Sequence, residues 1–178
     1  MPKTSRKQNH ADETRIVNEL LENPSLDATQ IAEKSGISRR KVWKVLSHLE
    51  ENGTILGHSV IIDPLKFGKR PYLVLCERSS KAADDHFIEL ILGTTLIEEA
   101  RERGIEATIL DGYYLSGQYD WAFTVVVDEQ KNLTRLFELF KKLFEGYFSK
   151  IVVTEILFAK SRNGILNPHP EELRDILR

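Results

Sequence analysis

Apolar and polar positions recur with a helical period between Ser38 and Glu51. The apolar residues fall at i, i+3, i+4 and i+7, so they line one side of a helix; they are Val42, Val45, Leu46 and Leu49. At about 100° per residue, the opposite side is polar, with Arg40, Lys44, Ser47 and Glu51. The spacing predicts an amphipathic helix whose N-terminal half is cationic.

A shorter helix is predicted just before this one. Asp27 is a favourable N-cap, and Gln30 three positions later completes a capping box. Gly36 would supply the backbone freedom of a turn, and Ser38 would cap the second helix. Two helices around a glycine-containing turn form a helix-turn-helix, whose second helix enters the major groove of DNA.

The residues after the second helix predict a wing. Asn52-Gly53 would end the helix, and Ile55 to Ile62 would form two strands that turn near Gly57-His58. We therefore predict a winged helix-turn-helix DNA-binding domain over residues 1–62. A small three-helix bundle that never meets DNA is the alternative interpretation of the same pattern.

The pattern changes after a predicted hinge over residues 63–70. Residues 71–160 predict strands and helices in the order β-α-β-β-α-β, with an additional helix between residues 93 and 106. This order is typical of a ferredoxin-like domain, so the fold class is α+β. Residues 161–178 predict a tail with a short helix.

Both faces of the predicted sheet are apolar. The strand around Trp121 to Val127 places apolar side chains on both sides, and so does Ile151 to Phe158. Helices in a ferredoxin-like domain cover one face only, so the other face predicts a homodimer or a higher oligomer.

Composition is ordinary for a soluble globular protein, with 41% apolar and 29% charged residues. No apolar run approaches the about 20 residues that span a bilayer, and the first fifteen residues contain no secretion signal. The lone Cys76 cannot form an internal disulfide. We expect a cytoplasmic protein that does not bind membranes.

Charge is unevenly distributed along the chain. Met1 to Arg70 contains 12 Lys and Arg against 9 Asp and Glu, whereas Pro71 to Arg178 contains 13 against 18. A basic N-terminal module followed by an acidic one favours double-stranded DNA as a partner.

The ordered set of these motifs resembles the Lrp/AsnC (leucine-responsive, feast/famine) family of transcriptional regulators. The resemblance covers residues 12–160. It is carried by Ile37-Ser38, Val42, Leu49-Glu50, Gly53, Ile55, Gly57, Ile61-Ile62-Asp63-Pro64, Gly68 and Ser116-Gly117-Gln118-Tyr119-Asp120. It implies a DNA-binding head followed by a ferredoxin-like (RAM-type) effector domain that pairs into dimers.

The resemblance also implies an effector site for a small molecule such as an amino acid. By position, its residues are Gly117, Gln118, Tyr119 and Asp120. Asp120 would pair with an α-ammonium group, and Gly117 would permit a close approach of the backbone. A plain hairpin turn capped by Asp120 is the alternative.

The candidate DNA contacts come from the helix and the wing. We expect Arg40, Lys44 and Ser47 to contact base edges, with Trp43 and His48 at the margins. Arg39, Lys41 and the wing around His58 would hold phosphates, and Ser38 lies at the helix start. Three features depart from the family pattern: Val45, the pair Trp43 and His48, and about ten additional residues between Arg78 and Gly112.

Two other functions compete with DNA binding. The first is a metabolite-sensing or assembly module without specific DNA binding. The second is an enzyme similar to sirohaem decarboxylases, but Tyr113-Tyr114-Leu115 lies where those enzymes need a histidine motif. No pair of histidines has metal-ligand spacing, so we expect no catalytic residue, metal or cofactor. Operator, effector identity, oligomer size and the direction of regulation stay open.

Overall fold

Three helices form the N-terminal part of the chain. The structure is a computed structural model that describes the backbone of residues 6–178 and the side chains from residue 8 onward. The first five residues of the predicted 1–62 domain lie outside the described residues. The helices are α1 (Arg6–Glu22), α2 (Ala28–Ser35) and α3 (Arg39–Glu51). Their apolar sides meet in one core, formed by Ile16, Ile31, Ile37 and Val42.

The capping box at the start of α2 is confirmed. The Asp27 carboxylate accepts from the backbone N–H groups of Thr29 and Gln30, at 2.7 and 2.9 Å. In return, the Gln30 side chain accepts from the Asp27 N–H at 2.9 Å. Gly36 ends the helix with φ at 68°, a left-handed conformation that glycine adopts without a steric penalty.

Two details of the head differ from the sequence prediction. Ser38 precedes α3, but its hydroxyl makes no capping hydrogen bond; its backbone carbonyl accepts from the N–H groups of Lys41 and Val42. No strand is assigned to residues 55–62, so the predicted two-stranded wing is wrong in this structure. Leu56 and Val60 there are 96% and 83% exposed, and an isolated hairpin with no apolar surface to cover is marginal in water.

The second part of the chain has the predicted α+β architecture. A short 3₁₀ helix (Pro64–Phe67) leads into β1 (Arg70–Arg78). The remaining elements of the domain are α4 (Asp85–Leu92), α5 (Thr95–Glu102), β2 (Ala107–Tyr114), β3 (Trp121–Val127), α6 (Gln130–Leu143) and β4 (Phe148–Glu155). The four strands pair antiparallel in the order β2-β3-β1-β4. This is the ferredoxin-like order with α5 inserted.

The core of this domain lies between the helices and one face of the sheet. Phe123 and Phe140 are each 1% exposed, and their ring centroids are 5.9 Å apart. The additional helix α5 belongs to this core, since Leu96 is 6% exposed and Ala100 1% exposed. The segment that departs from the family pattern is therefore part of the interior.

Side chains of β1 alternate between the two faces of the sheet, as period two requires. Tyr72, Val74 and Cys76 lie in the helix-covered core, where burial raises the pKa of the Cys76 thiol to about 12. Leu73 and Leu75 lie on the other face and are half-buried. An apolar second face is therefore present, as the sequence predicts.

The tail forms a small hairpin and a terminal helix. Strands β5 (Ser161–Arg162) and β6 (Ile165–Leu166) pair with each other, and a 3₁₀ turn (Pro170–Glu172) leads to α7 (Leu173–Leu177). The chain divides into two compact units between Val60 and Ile61. The finer domain boundaries given above remain predictions. Within the described residues, no helix combines the length and apolarity needed to cross a membrane.

Candidate nucleic-acid interface

The side of α3 that faces away from the core carries free cations. Arg39, Arg40 and Lys44 are all exposed, while Val42 and Leu49 on the opposite side are buried. Within residues 6–178, none of the three cations takes part in a salt bridge. Cations in the first turn of a helix oppose its dipole, so their placement is favourable only when an anion lies opposite.

Trp43 is the large aromatic residue of this surface and is 67% exposed. An indole that is exposed to water does not gain the stabilising free energy that burial in a core would give. It lies about 100° around the helix from Val42, beside the cationic face. Such a residue can pack on a sugar or a thymine methyl group.

Lys41 does not belong to the free cations. Its ammonium group forms an ion pair with Asp12 of α1, which is buried at 5% exposure. The hydrogen bond from Lys41 holds the pKa of Asp12 below its usual value. Lys41 therefore ties α3 to α1, whereas the sequence predicted a phosphate contact.

We expect Lys41→Met to lower the thermal midpoint of unfolding by several degrees at pH 7, because the buried Asp12 carboxylate would lose the ammonium group that pairs with it. A depressed folded pKa gives stability that is present above the unfolded pKa of about 4 and is lost as pH falls through the folded value. The difference in melting temperature between Lys41→Met and the unmodified protein should therefore become smaller as the pH is lowered toward 3. Circular dichroism melts at several pH values measure this.

Lys44→Met is the matched control for this experiment, because it removes an exposed lysine that makes no ion pair in the described chain. Its melting temperature should stay unchanged at every pH. A Lys41→Met variant that melts like the Lys44→Met variant would contradict a structural role for Lys41.

The other residues predicted to contact DNA differ in their exposure and in the groups that lie near them. Ser38 is exposed and Ser47 half-buried, both next to the cationic face. The Nε2 atom of His48 lies 3.4 Å from the Asn52 amide nitrogen. The Nε2 atom of His58 lies 3.6 Å from a Glu50 carboxylate oxygen, so His58 faces an acid of its own chain.

The predicted effector turn is tied to the sheet by Asp120. Its N–H donates to the Cys76 carbonyl at 2.9 Å, and its carbonyl accepts from Leu115 at 2.7 Å. One carboxylate oxygen accepts from the Arg78 N–H at 2.7 Å. Gly117 and Gln118 are exposed and Tyr119 is half-buried. The carboxylate therefore has a structural role, and its second oxygen is left for another partner.

Two contacts that hold the helices of the head together could not be predicted from the sequence. Asp12 meets Lys41 across 29 positions, and an Arg15 side-chain nitrogen donates to the Ser35 carbonyl at 3.1 Å across 20 positions. Pairs this far apart leave no local periodic signal. The one available hint was Asp12 itself, a carboxylate on the same side of α1 as Ile16.

Comparison with known proteins agrees with this architecture. Residues 13–55 match a family model described as winged helix-turn-helix DNA-binding. The glutamate uptake regulatory protein of Zymomonas mobilis is 22% identical over 142 residues, which are 80% of this chain and 77% of that protein.

Solved structures extend the likeness to both parts of the chain. An AsnC family transcriptional regulator from Agrobacterium tumefaciens superposes with a TM-score of 0.59 at 18% identity, covering 92% of this chain and 97% of that one. A transcriptional regulator from Neisseria meningitidis, solved in complex with L-Met, has a TM-score of 0.59 at 14% identity, covering 96% and 99%.

The class is therefore a helix-turn-helix head, which matches a winged helix-turn-helix DNA-binding model over residues 13–55, followed by an α+β domain with a four-stranded antiparallel sheet. Within that class, the fold is that of the AsnC family transcriptional regulator from Agrobacterium tumefaciens, and a related sequence is named as a regulatory protein, so the predicted resemblance to the Lrp/AsnC family is confirmed.

Proposed function

We propose that this chain is a sequence-specific DNA-binding transcriptional regulator that acts as a homodimer. The observation that carries the proposal is the exposed cationic face of α3, whose Arg39, Arg40 and Lys44 lack ion-pair partners in the described chain. Arg40, Lys44 and Ser47 contact base edges, with Ser38, Trp43 and His48 beside them. Arg39 contacts phosphate. Lys41 leaves the set of contacts because it pairs with Asp12.

Dimerisation supplies two such helices. The apolar second face of the sheet, with half-buried Leu73 and Leu75, supports pairing with another copy. A two-fold axis then places two α3 helices in successive major grooves, about 34 Å apart. Larger assemblies built from such dimers would use a surface other than this face.

A small effector, such as an amino acid, modulates the regulator in this proposal. The L-Met complex of the Neisseria meningitidis regulator supports it. The turn at Gly117 to Asp120 is the proposed site. An effector that binds one assembly state better than another shifts the population of that state, and so the affinity for DNA. The matched family model is described as DNA-binding and the related Zymomonas mobilis protein is named as a regulator, which favours this function over an enzyme.

Selection from random duplexes with the purified full chain tests the proposal. We expect enrichment of a two-fold symmetric sequence whose half-sites lie about 10 base pairs apart, or a multiple of that spacing. Affinity should fall steeply between 50 and 200 mM salt, roughly a thousandfold for six phosphate contacts. Repeating the selection with a mixture of amino acids tests the effector.

Failure to enrich any sequence would favour the alternative of a sensing module without specific DNA binding. Enrichment of a single, unrepeated half-site would contradict binding as a homodimer. It would still support contact between α3 and DNA.

A further inference from the structure

The two tryptophans of the chain lie in opposite surroundings. Trp121 packs among aromatic rings of the core, with its ring centroid 4.8 Å from that of Phe123 and 5.8 Å from that of Phe140. Trp43 lies on α3 and is 67% exposed. Within residues 6–178, no aromatic ring and no cation packs on its indole. The indole surface is therefore available to another molecule.

The position of Trp43 on the helix gives this exposure a meaning that a scattered apolar residue would not have. Trp43 follows Arg40 by three residues and precedes Ser47 by four, so the three side chains are neighbours on one helix surface. At about 100° per residue, Trp43 lies about 60° from Arg40 and about 40° from Ser47 around the helix axis. A duplex that contacts Arg40 and Ser47 would therefore also lie against the indole.

The chemistry of the indole differs from that of its neighbours. It offers a broad apolar surface and a single N–H donor at its edge, whereas Arg40 and Ser47 form hydrogen bonds. In the major groove all four bases present hydrogen-bonding groups at their edges, and thymine alone adds an apolar group, its C5 methyl. The thymine methyl is therefore the base-edge group that complements an indole.

We propose that Trp43 packs on the C5 methyl group of a thymine and makes each half-site depend on thymine at one position. The inference rests on the proposed function and names a base that the DNA must contain. Cβ atoms three residues apart on a helix are about 5–6 Å apart, and successive base pairs rise by about 3.4 Å. The thymine therefore lies within about two base pairs of the guanine that Arg40 binds.

A deoxyribose is the other group of DNA that could cover the indole. Sugars carry no direct sequence information, so contact with a sugar would strengthen binding to every duplex by a similar factor. The methyl group can be tested separately, because deoxyuridine lacks this methyl and keeps the hydrogen-bonding groups of thymidine.

The test compares thymine and uracil duplexes with the purified full chain. The duplex obtained by selection is synthesised with deoxyuridine in place of thymidine, one position at a time and in both half-sites. Fluorescence anisotropy at one fixed salt concentration gives the affinities. At one position we expect binding about fourfold weaker per half-site, which is the contribution of one buried methyl group. Trp43→Ala should bind the thymine and uracil duplexes equally at that position.

Three further variants serve as controls. Trp43→Phe keeps an apolar ring and should retain part of the preference for thymine. Arg39→Ala removes a residue assigned to phosphate, so it should weaken binding to both duplexes and keep the fourfold preference. Leu21→Ala removes an apolar side chain that is 73% exposed on α1, and it should change neither the affinity nor the preference. Thermal melts of all variants check that each one folds.

Equal binding of thymine and uracil duplexes at every position would overturn the inference and leave the proposed function in place. A preference for thymine that survives in Trp43→Ala would overturn it as well, since another group would then contact the methyl. So would a selected half-site that contains no thymine. A chain that enriches no sequence at all would overturn the proposed function together with this inference.

Discussion

Replacing Arg40 with alanine is expected to weaken binding to the selected DNA sequence about 5- to 150-fold and to leave binding to unrelated duplex nearly unchanged. An arginine that bonds both acceptors of a guanine contributes about 1–3 kcal/mol of discrimination. Arg40 has the geometry for this contact, because it is exposed on the side of α3 opposite Val42 and Leu49. Without the Arg40 side chain the protein would lose a base-specific contact. Most of its electrostatic attraction to the phosphates would remain.

Fluorescence anisotropy at one fixed salt concentration, with specific and unrelated duplexes, measures both affinities. Arg39→Ala is the matched control on the same helix, since Arg39 is assigned to phosphate. It should weaken both affinities by a similar factor and lower the salt slope by about one. If Arg40→Ala weakened both duplexes equally, the assignment of Arg40 to a base edge would be wrong.

Phe140→Ala is expected to destabilise the protein by about 3–5 kcal/mol. The side chain is 1% exposed and lies at the centre of an aromatic cluster. Its ring centroid is 4.6 Å from that of Phe144, 5.7 Å from Phe148 and 5.8 Å from Trp121. Removing the ring leaves a cavity that these rigid neighbours cannot fill.

Urea unfolding monitored by circular dichroism gives the free energy, at one protomer concentration because association shifts the apparent stability. Phe67→Ala is the control, since Phe67 is 69% exposed and should change stability by less than about 0.5 kcal/mol. Loss of less than about 1 kcal/mol in Phe140→Ala would show that the cluster is loosely packed.

Helices with one apolar side could be predicted from the sequence because their period is local. The stripe that contains Val42 and Leu49 is buried, as the helical period predicts. The wing could not be predicted correctly in the same way. Its apolar residues lie on both sides of the predicted turn at Gly57-His58, but Leu56 and Val60 are exposed and have no surface to cover within the head.

For the candidate DNA-contact residues on α3, exposure could be predicted from the sequence because it follows from the period of the helix. Arg40 and Lys44 are exposed because they lie opposite the buried side. Lys41 was assigned to phosphate because its neighbours are basic, but its partner Asp12 lies 29 positions away and only the folded chain brings the two together.

Helix α5, which is additional to the ferredoxin-like order, contributes side chains to the hydrophobic core and so to the stability of the domain. Residues that lengthen a loop can usually be trimmed without harm, since they lie on the surface. Here Leu96 and Ala100 fill interior space beside Ile105, so a version that lacks α5 would have a cavity in the core of this domain. A sequence alignment that leaves α5 out as a gap therefore omits residues of the hydrophobic core.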